Sequence, residues 1–321
     1  MNIQPAVPGA RILGLGEHQP TTVVTNADLA ARMDTTDEWI RSRVGIASRR
    51  IAGPDESVAD MAVAAGGKAL AASGLAPTDV DLVVVATCTM PTPIPSAAAQ
   101  VASRLGIPAP GAYDLNAACA GFVYGLSTAA SAVTSGAARN VLLIGAEKLS
   151  DWVDQDDRST AIIFADGAGA AVVGPAAEPG DVGIGPVVWG SAGDSADLIA
   201  IPARDKFLGQ EGQAVFRWAT TAMAPVAKEA CRRAGIEPSD LVAFIPHQAN
   251  LRIIEAIARK LGAPDVLIAD DIVEAGNTSS ASVPLALARM AARGQVRSGD
   301  PVLLLGFGAG LTYAGQVVLC P

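Results

Sequence analysis

The chain reads as an α/β protein built from two related halves, about 1–175 and 176–321. Helical and strand signals alternate along its length, which points to layered α/β architecture, and the order of signals repeats. Val58 to Ala72 reads as an alanine-rich amphipathic helix. It runs into Ala72-Ser73-Gly74-Leu75-Ala76-Pro77-Thr78-Asp79 and then the apolar run Leu82 to Ala86. The second half matches it with a helix over Ala222 to Ala234, Arg233-Ala234-Gly235-Ile236-Glu237-Pro238-Ser239-Asp240, and the run Leu241 to Ile245.

The parallel extends further. Ser96 to Leu105 and Asn250 to Leu261 read as helices stopped by Gly106 and Gly262. Ser135-Gly136 precedes Val141-Leu142-Leu143-Ile144-Gly145, and Ser298-Gly299 precedes Val302-Leu303-Leu304-Leu305-Gly306. Such continuous apolar runs suit central strands covered by helices on both faces. Ala117 to Ala132 reads as a further helix, with Cys119 in its first turn. Cys119 and the segment around Asn277 then hold comparable places, each after a short strand at the start of a helix. A pseudo-twofold axis would bring the loops of both halves to one site.

Composition narrows the function. Half of the 321 residues are apolar but only 4% are aromatic, so the core must be built from Ala, Val, Leu and Ile. No run approaches the roughly 18 apolar residues that suggest a membrane span. Met1 to Arg11 lacks the charged start and apolar stretch of a secretory signal. The four cysteines, Cys88, Cys119, Cys231 and Cys320, show neither CxxC pairing nor a histidine at metal-ligand spacing. Zinc and a disulfide framework are therefore not expected, and a reduced, cytoplasmic protein is. A net charge of −9 argues against general nucleic-acid binding.

Three separated segments carry the chemistry: Asn116-Ala117-Ala118-Cys119-Ala120-Gly121-Phe122, Pro246-His247-Gln248-Ala249-Asn250 and Gly276-Asn277-Thr278-Ser279-Ser280. At a helix start, free amides and the helix dipole would lower the Cys119 thiol pKa, and a thiolate is the natural nucleophile for a thioester. A neutral imidazole at His247 could donate to a thioester carbonyl as it gains enolate charge. Asn277, at a helix N-cap, offers a second neutral donor. Two such donors on one carbonyl suit decarboxylation with no metal and no cofactor. The second histidine, His18, lies in a turn-like stretch and reads as structural.

These segments resemble the thiolase superfamily of condensing enzymes, specifically the 3-oxoacyl-[acyl-carrier-protein] synthase III family in its actinobacterial form. The similarity runs from Gly14-Leu15-Gly16 to Gly306-Phe307-Gly308-Ala309-Gly310 and includes Gly212-Gln213-Ala214-Val215-Phe216-Arg217-Trp218. It implies a thiolase-like αβαβα fold with mixed five-stranded sheets, and a homodimer. It also implies that an acyl-coenzyme A acylates Cys119, and that His247 and Asn277 stabilise the enolate formed when a malonyl-acyl-carrier thioester loses carbon dioxide. Chain-elongating synthases place a second histidine, and thiolases a second cysteine, where this chain has Asn277. The backbone amides of Cys119 and Ala309 would form the oxyanion hole.

Coenzyme A itself would be a substrate, its adenine stacked between Trp39 and Arg158 with Arg43 near a phosphate. Gln248, Ala249, Asn250, Leu251 and Arg252, supported by Arg217, would receive the carrier protein. That basic patch, extended by Arg259 and Lys260, would offset the acidic whole. Two departures bear on the starter group. Ile94 stands where relatives often carry phenylalanine at the acyl-pocket wall, and the segment between Pro202 and Gly212 is shorter than in relatives. The expected reaction starts type II fatty-acid synthesis; priming of a polyketide pathway and a non-catalytic carrier-binding subunit are the alternatives.

Overall fold

The computed structural model describes residues 9–177, 182–203 and 206–321. The first sheet contains β1 (Ala10–His18), β2 (Leu82–Ala86), β3 (Gly111–Leu115), β4 (Val141–Lys148) and β5 (Asp166–Pro175), in the order β1-β5-β4-β2-β3. The second contains β6 (Val188–Ser191), β7 (Ala243–Pro246), β8 (Leu267–Ile268), β9 (Pro301–Gly308) and β10 (Thr312–Leu319), in the order β6-β10-β9-β7-β8. Adding five to each label of the first order gives the second. Parallel and antiparallel pairings also correspond: β2 is parallel to β3 and β4, as β7 is to β8 and β9, while the remaining two pairs in each sheet are antiparallel. The sequence repeat is thus a repeat of topology.

Helices follow the same rule. In the first half they are α1 (Val58–Ser73), α2 (Ala97–Arg104) and α3 (Gly121–Thr134). The second half places α4 (Gly212–Ala234), α5 (Leu251–Leu261) and α6 (Ser282–Ala292) in the equivalent positions. Helices α1 and α2 cover the outer face of the first sheet, and α4 and α5 that of the second. Between the sheets lie α3 and α6, whose Phe122, Leu126, Val283 and Leu287 share one core with Val84, Leu143, Ile245 and Leu304. Five layers result, α–β–α–β–α.

Local chemistry explains the element ends. Ser57 caps α1 reciprocally with Asp60, and the Ser96 hydroxyl accepts the amide of Ala99 at the start of α2. Two expectations need correction. Helix α4 begins ten residues before Ala222, because Phe216, Trp218 and Ala219 pack against the core and carry the helix back to Gly212. Helix α3 begins at Gly121 rather than Ala117, because Ala118 is left-handed (φ 44°), which ends regular α geometry and leaves a short 3₁₀ turn, Ala118–Ala120.

Equivalent glycines in β4 and β9 let the halves close. A Cβ on Gly145 would lie 2.5 Å from the carbonyl oxygen of Ser280, and one on Gly306 would lie 2.8 Å from the Cα of Ala120. Each central strand therefore receives the other half's turn against bare backbone. Gly145→Ala should cost about 1–3 kcal/mol, whereas Gly67→Ala on α1, whose added Cβ meets a leucine methyl at 3.6 Å, should be neutral or stabilising. Urea unfolding of the two variants checks this.

Candidate active site

The two turns and the end of β7 open on one cavity of about 720 Å³. Cys119, His247 and Asn277 all line it, although they come from three distant segments. Leu149, Phe164, Leu208, Val215 and Phe307 make its walls largely apolar. Trp39 also lines it, and Arg43, Arg217 and Arg252 bring cationic side chains to it.

The turn before each central helix is built the same way. Asn116 Oδ1 accepts the amide of Ala118 at 3.1 Å, and Asn277 Oδ1 accepts the amide of Ser279 at 2.9 Å. Ala118 and Ser279 are both left-handed, at φ 44° and 49°. Asn277 thus turns back on its own loop and does not cap α6 directly, a small correction to the N-cap expectation. With its oxygen engaged, its NH₂ group is the end left to meet a ligand.

His247 is buried, and its Nδ1 lies 2.7 Å from the hydroxyl of Ser282, the first residue of α6. The same hydroxyl oxygen accepts the Gln248 amide at 3.3 Å, so its proton is free for Nδ1. This network puts the ring proton on Nε2 and makes it a donor. Phe307 packs edge-on to the ring at 5.4 Å. Burial lowers the His247 pKa to about 3, so the imidazole is neutral at working pH.

The thiol departs from expectation. Burial pushes Cys119 up to about 11, although the Ser279 hydroxyl and the amides of Ala309 and Cys119 pull the other way. The α-helix starts four residues later than expected, at Gly121, and the enclosure outweighs what its dipole offers. Cys119 rests as a thiol. Cys119 and Ala309, whose amides the resemblance assigns to an oxyanion hole, both line the cavity. Gly308 has no side chain for a steric reason: a Cβ there would sit 2.8 Å from the Cys119 Sγ. The Thr312 hydroxyl, 3.0 Å from Ala117 O and 2.9 Å from Ala309 O, ties the two loops together.

At the mouth, the Arg158 guanidinium lies over the Trp39 ring at 4.4 Å, with Arg43 at 5.6 Å. The expected sandwich is closed, since an intervening adenine needs about 7 Å, twice a stacking contact. Arg252 is exposed and stacks over Phe216 at 5.5 Å, and Arg217 is exposed nearby in the chain.

The other residues expected at the carrier surface are less exposed than Arg252. Gln248 is buried; its side chain donates to Pro246 O at 2.7 Å and accepts the Ile272 amide at 3.0 Å. Asn250 caps α5 through the Arg252 amide and donates to Arg43 O. Ala249 and Leu251 are half-buried. Ile94 is 81% exposed and off the cavity, because its proline-rich loop projects from the surface instead of folding over the site. In the short segment after Pro202, Leu208 and Gln210 line the cavity, while residues 204 and 205 lie outside the described residues. His18 pairs with Glu56 at 2.7 Å, away from the cavity.

Sequence reasoning missed Ser282, Ser279, Cys88 and Glu147, all around this site. The signal for Glu147 was its place just after the apolar run Val141 to Ala146 of one strand, where it is fully buried.

The comparisons agree with this geometry. The family models described as 3-oxoacyl-[acyl-carrier-protein (ACP)] synthase III and its C-terminal part match residues 113–193 and 231–320. Beta-ketoacyl-[acyl-carrier-protein] synthase III 4 of Streptomyces coelicolor is 55% identical over 98% of this chain and 99% of its own length.

This chain belongs to the 3-oxoacyl-[acyl-carrier-protein] synthase III family. It is a condensing enzyme, an acyltransferase. A second relative, synthase III 2 of Streptomyces avermitilis, is 53% identical over the same share of both chains. Among solved structures, the priming beta-ketosynthase of the R1128 polyketide pathway matches with a TM-score of 0.95 at 46% identity, over 99% of this chain and 98% of that one. Synthase III of Pseudomonas aeruginosa matches at 0.93 and 42%, over 98% of each. No described helix is long and apolar enough to cross a membrane.

The low His247 pKa has a measurable consequence. Between about 6.5 and about 3 the unfolded histidine holds a proton that the folded one does not. Stability should fall as pH drops through that window, and His247→Gln should flatten the slope. Urea unfolding at about pH 7 and about pH 5 tests the sign.

Proposed function

We propose that this synthase condenses an acyl-coenzyme A starter with malonyl-acyl-carrier protein, giving 3-oxoacyl-carrier thioester, carbon dioxide and free coenzyme A. The observation that supports this best is one cavity holding a thiol, a neutral histidine donor and an asparagine amide, with cations among its lining residues. Cys119 attacks the starter thioester while the amides of Cys119 and Ala309 hold the oxyanion. Malonyl thioester then enters, and its carbonyl accepts from His247 Nε2 and the Asn277 NH₂ as carbon dioxide leaves. A protonated histidine would be a stronger donor but costly in this buried site; the neutral pair needs no proton uptake. The reaction as proposed uses no resident cofactor.

Coenzyme A binds as substrate at the mouth, with Arg158 swinging off Trp39 to admit the adenine and Arg43 meeting a phosphate. The acidic carrier docks on Arg252 and Arg217. A homodimer forms across the open edge of β3, where Tyr113 and the neighbouring Ile94 are exposed. Four free cysteines suit a reducing cytoplasm. Fatty-acid initiation is the main reading. Likeness to a polyketide priming ketosynthase favours a second, in which the starter is longer or unusual.

Intact-protein mass spectrometry after incubation with acetyl-, isobutyryl- and longer acyl-coenzyme A tests both. Single acylation by short or branched groups, absent in Cys119→Ala, supports initiation; acylation only by longer groups supports the polyketide reading. Asn277→Ala should still acylate but not condense. Arg252→Glu should raise KM for malonyl-carrier protein about tenfold, about 1.4 kcal/mol, while leaving the rate of acylation little changed.

A further inference from the structure

One constant offset in numbering relates the two turns at the centre of the molecule. Asn116 matches Asn277, left-handed Ala118 matches left-handed Ser279, and Gly121 at the start of α3 matches Ser282 at the start of α6. On the receiving strands, Gly145 matches Gly306. By the same offset Cys119 corresponds to Ser280, His247 to Ala86, and Gly308 to Glu147. Gly308 leaves room for the nucleophile, since a Cβ there would lie 2.8 Å from the Cys119 Sγ. Its counterpart does the opposite. Glu147 is fully buried, and its Oε1 takes the Ser280 hydroxyl at 2.9 Å; that hydroxyl also lies 2.8 Å from the carbonyl oxygen of Ala86. The position that would open a second site is thus filled by a carboxyl group.

Glu147 stands two residues after Gly145, on the same face of β4. Gly145 lets the second half's turn approach, and Glu147 holds it there. Oε1 also accepts from the Ser279 hydroxyl (3.0 Å) and the Cys88 thiol (3.4 Å). Oε2 accepts from the hydroxyls of Thr89 (2.6 Å) and Thr87 (3.2 Å) and from the Cys88 amide (3.1 Å). One carboxyl group therefore ties two serines of the second half to a loop of the first. Ser279 needs such a hold, because a residue with a side chain does not keep φ 49° unaided. The Ser279 amide in turn donates to Asn277 Oδ1 at 2.9 Å, which leaves the Asn277 NH₂ group for a ligand. The Asn277 backbone is fixed separately, by Ile163 O and the Ala165 amide. Glu147 thus bears on the asparagine side chain through Ser279.

We propose that Glu147 is the positioning residue of Asn277 in the decarboxylation step, an inference that rests on the condensation proposed above. It touches no substrate. It fixes Ser279, and through the Ser279 amide it fixes the direction of the carboxamide that meets the malonyl carbonyl. Its hydrogen-bond partners all lie outside the Cys119 turn, so acylation does not draw on it. The duplication makes this division possible: in one half the position stays bare for the nucleophile, and in the other it carries the clamp for the donor.

The test measures the two half-reactions separately in wild type, Glu147→Gln, Asn277→Ala and the double variant. Acylation of Cys119 is read by intact mass, with the acyl-coenzyme A that labels the wild type fastest. Decarboxylation is read as carbon dioxide released from malonyl-acyl-carrier protein. Glutamine keeps the size of the side chain but turns a donor toward hydroxyls that now donate. Glu147 also pushes the Cys119 thiol pKa up from a distance, so its neutralisation does not slow acylation. Glu147→Gln should acylate at least as fast as wild type and release carbon dioxide about tenfold more slowly. Added to Asn277→Ala it should bring no further loss, because its effect runs through the asparagine. Losses that multiply in the double variant, an equal loss in both half-reactions, or no loss would overturn the role. If Glu147→Gln does not fold, Ser279→Ala decides: it removes one hydroxyl from the clamp and should show a weaker form of the same split, and an even loss or none would overturn the role. No acylation of the wild type would overturn the condensing reaction and this role with it.

Discussion

Close backbone contact at two equivalent glycines governs this molecule. Gly145 on β4 receives the turn of the second half, and Gly306 on β9 receives the turn of the first. Any side chain at either point would hold a turn away from its strand. The contact is reciprocal because the halves share one strand order and one helix order. What it positions is chemical: Cys119 follows one turn's asparagine by three residues, and Asn277 is the asparagine of the other. Duplication thus supplied two copies of one Asx-type turn, and the two copies have diverged into a nucleophile and a hydrogen-bond donor.

Electrostatically the site favours neutral groups. Burial holds His247 neutral and keeps the Cys119 thiol protonated. Such a site does not stabilise charge at rest. It holds fixed donors at the positions where charge develops, which is where preorganisation lowers a barrier. The cost is that every proton needs a path, because a low-dielectric cavity will not tolerate a stray charge.

Much of the architecture was legible in the sequence because it was written twice. The paired segments around Gly74 and Gly235, and the apolar runs ending at Gly145 and Gly306, gave the layers and the convergence of Cys119, His247 and Asn277. Errors came where tertiary context overrides local pattern. Ala118 looks like a helix former, yet the Asn116 side chain holds it left-handed. Gln248 looks like a surface polar residue, but its side chain is spent on backbone groups inside the fold. Glu147 left only the trace of a carboxylate in an apolar strand, since its partners Ser279 and Ser280 reach it only when the halves close.

The central claim is that two neutral donors from the second half converge on the substrate carbonyl beside Cys119. A crystal structure with a non-hydrolysable malonyl-thioester mimic bound tests it most directly. The account predicts the thioester carbonyl oxygen within about 3 Å of both His247 Nε2 and the Asn277 NH₂ group. A carbonyl oxygen bound elsewhere, with either donor turned away, would contradict it.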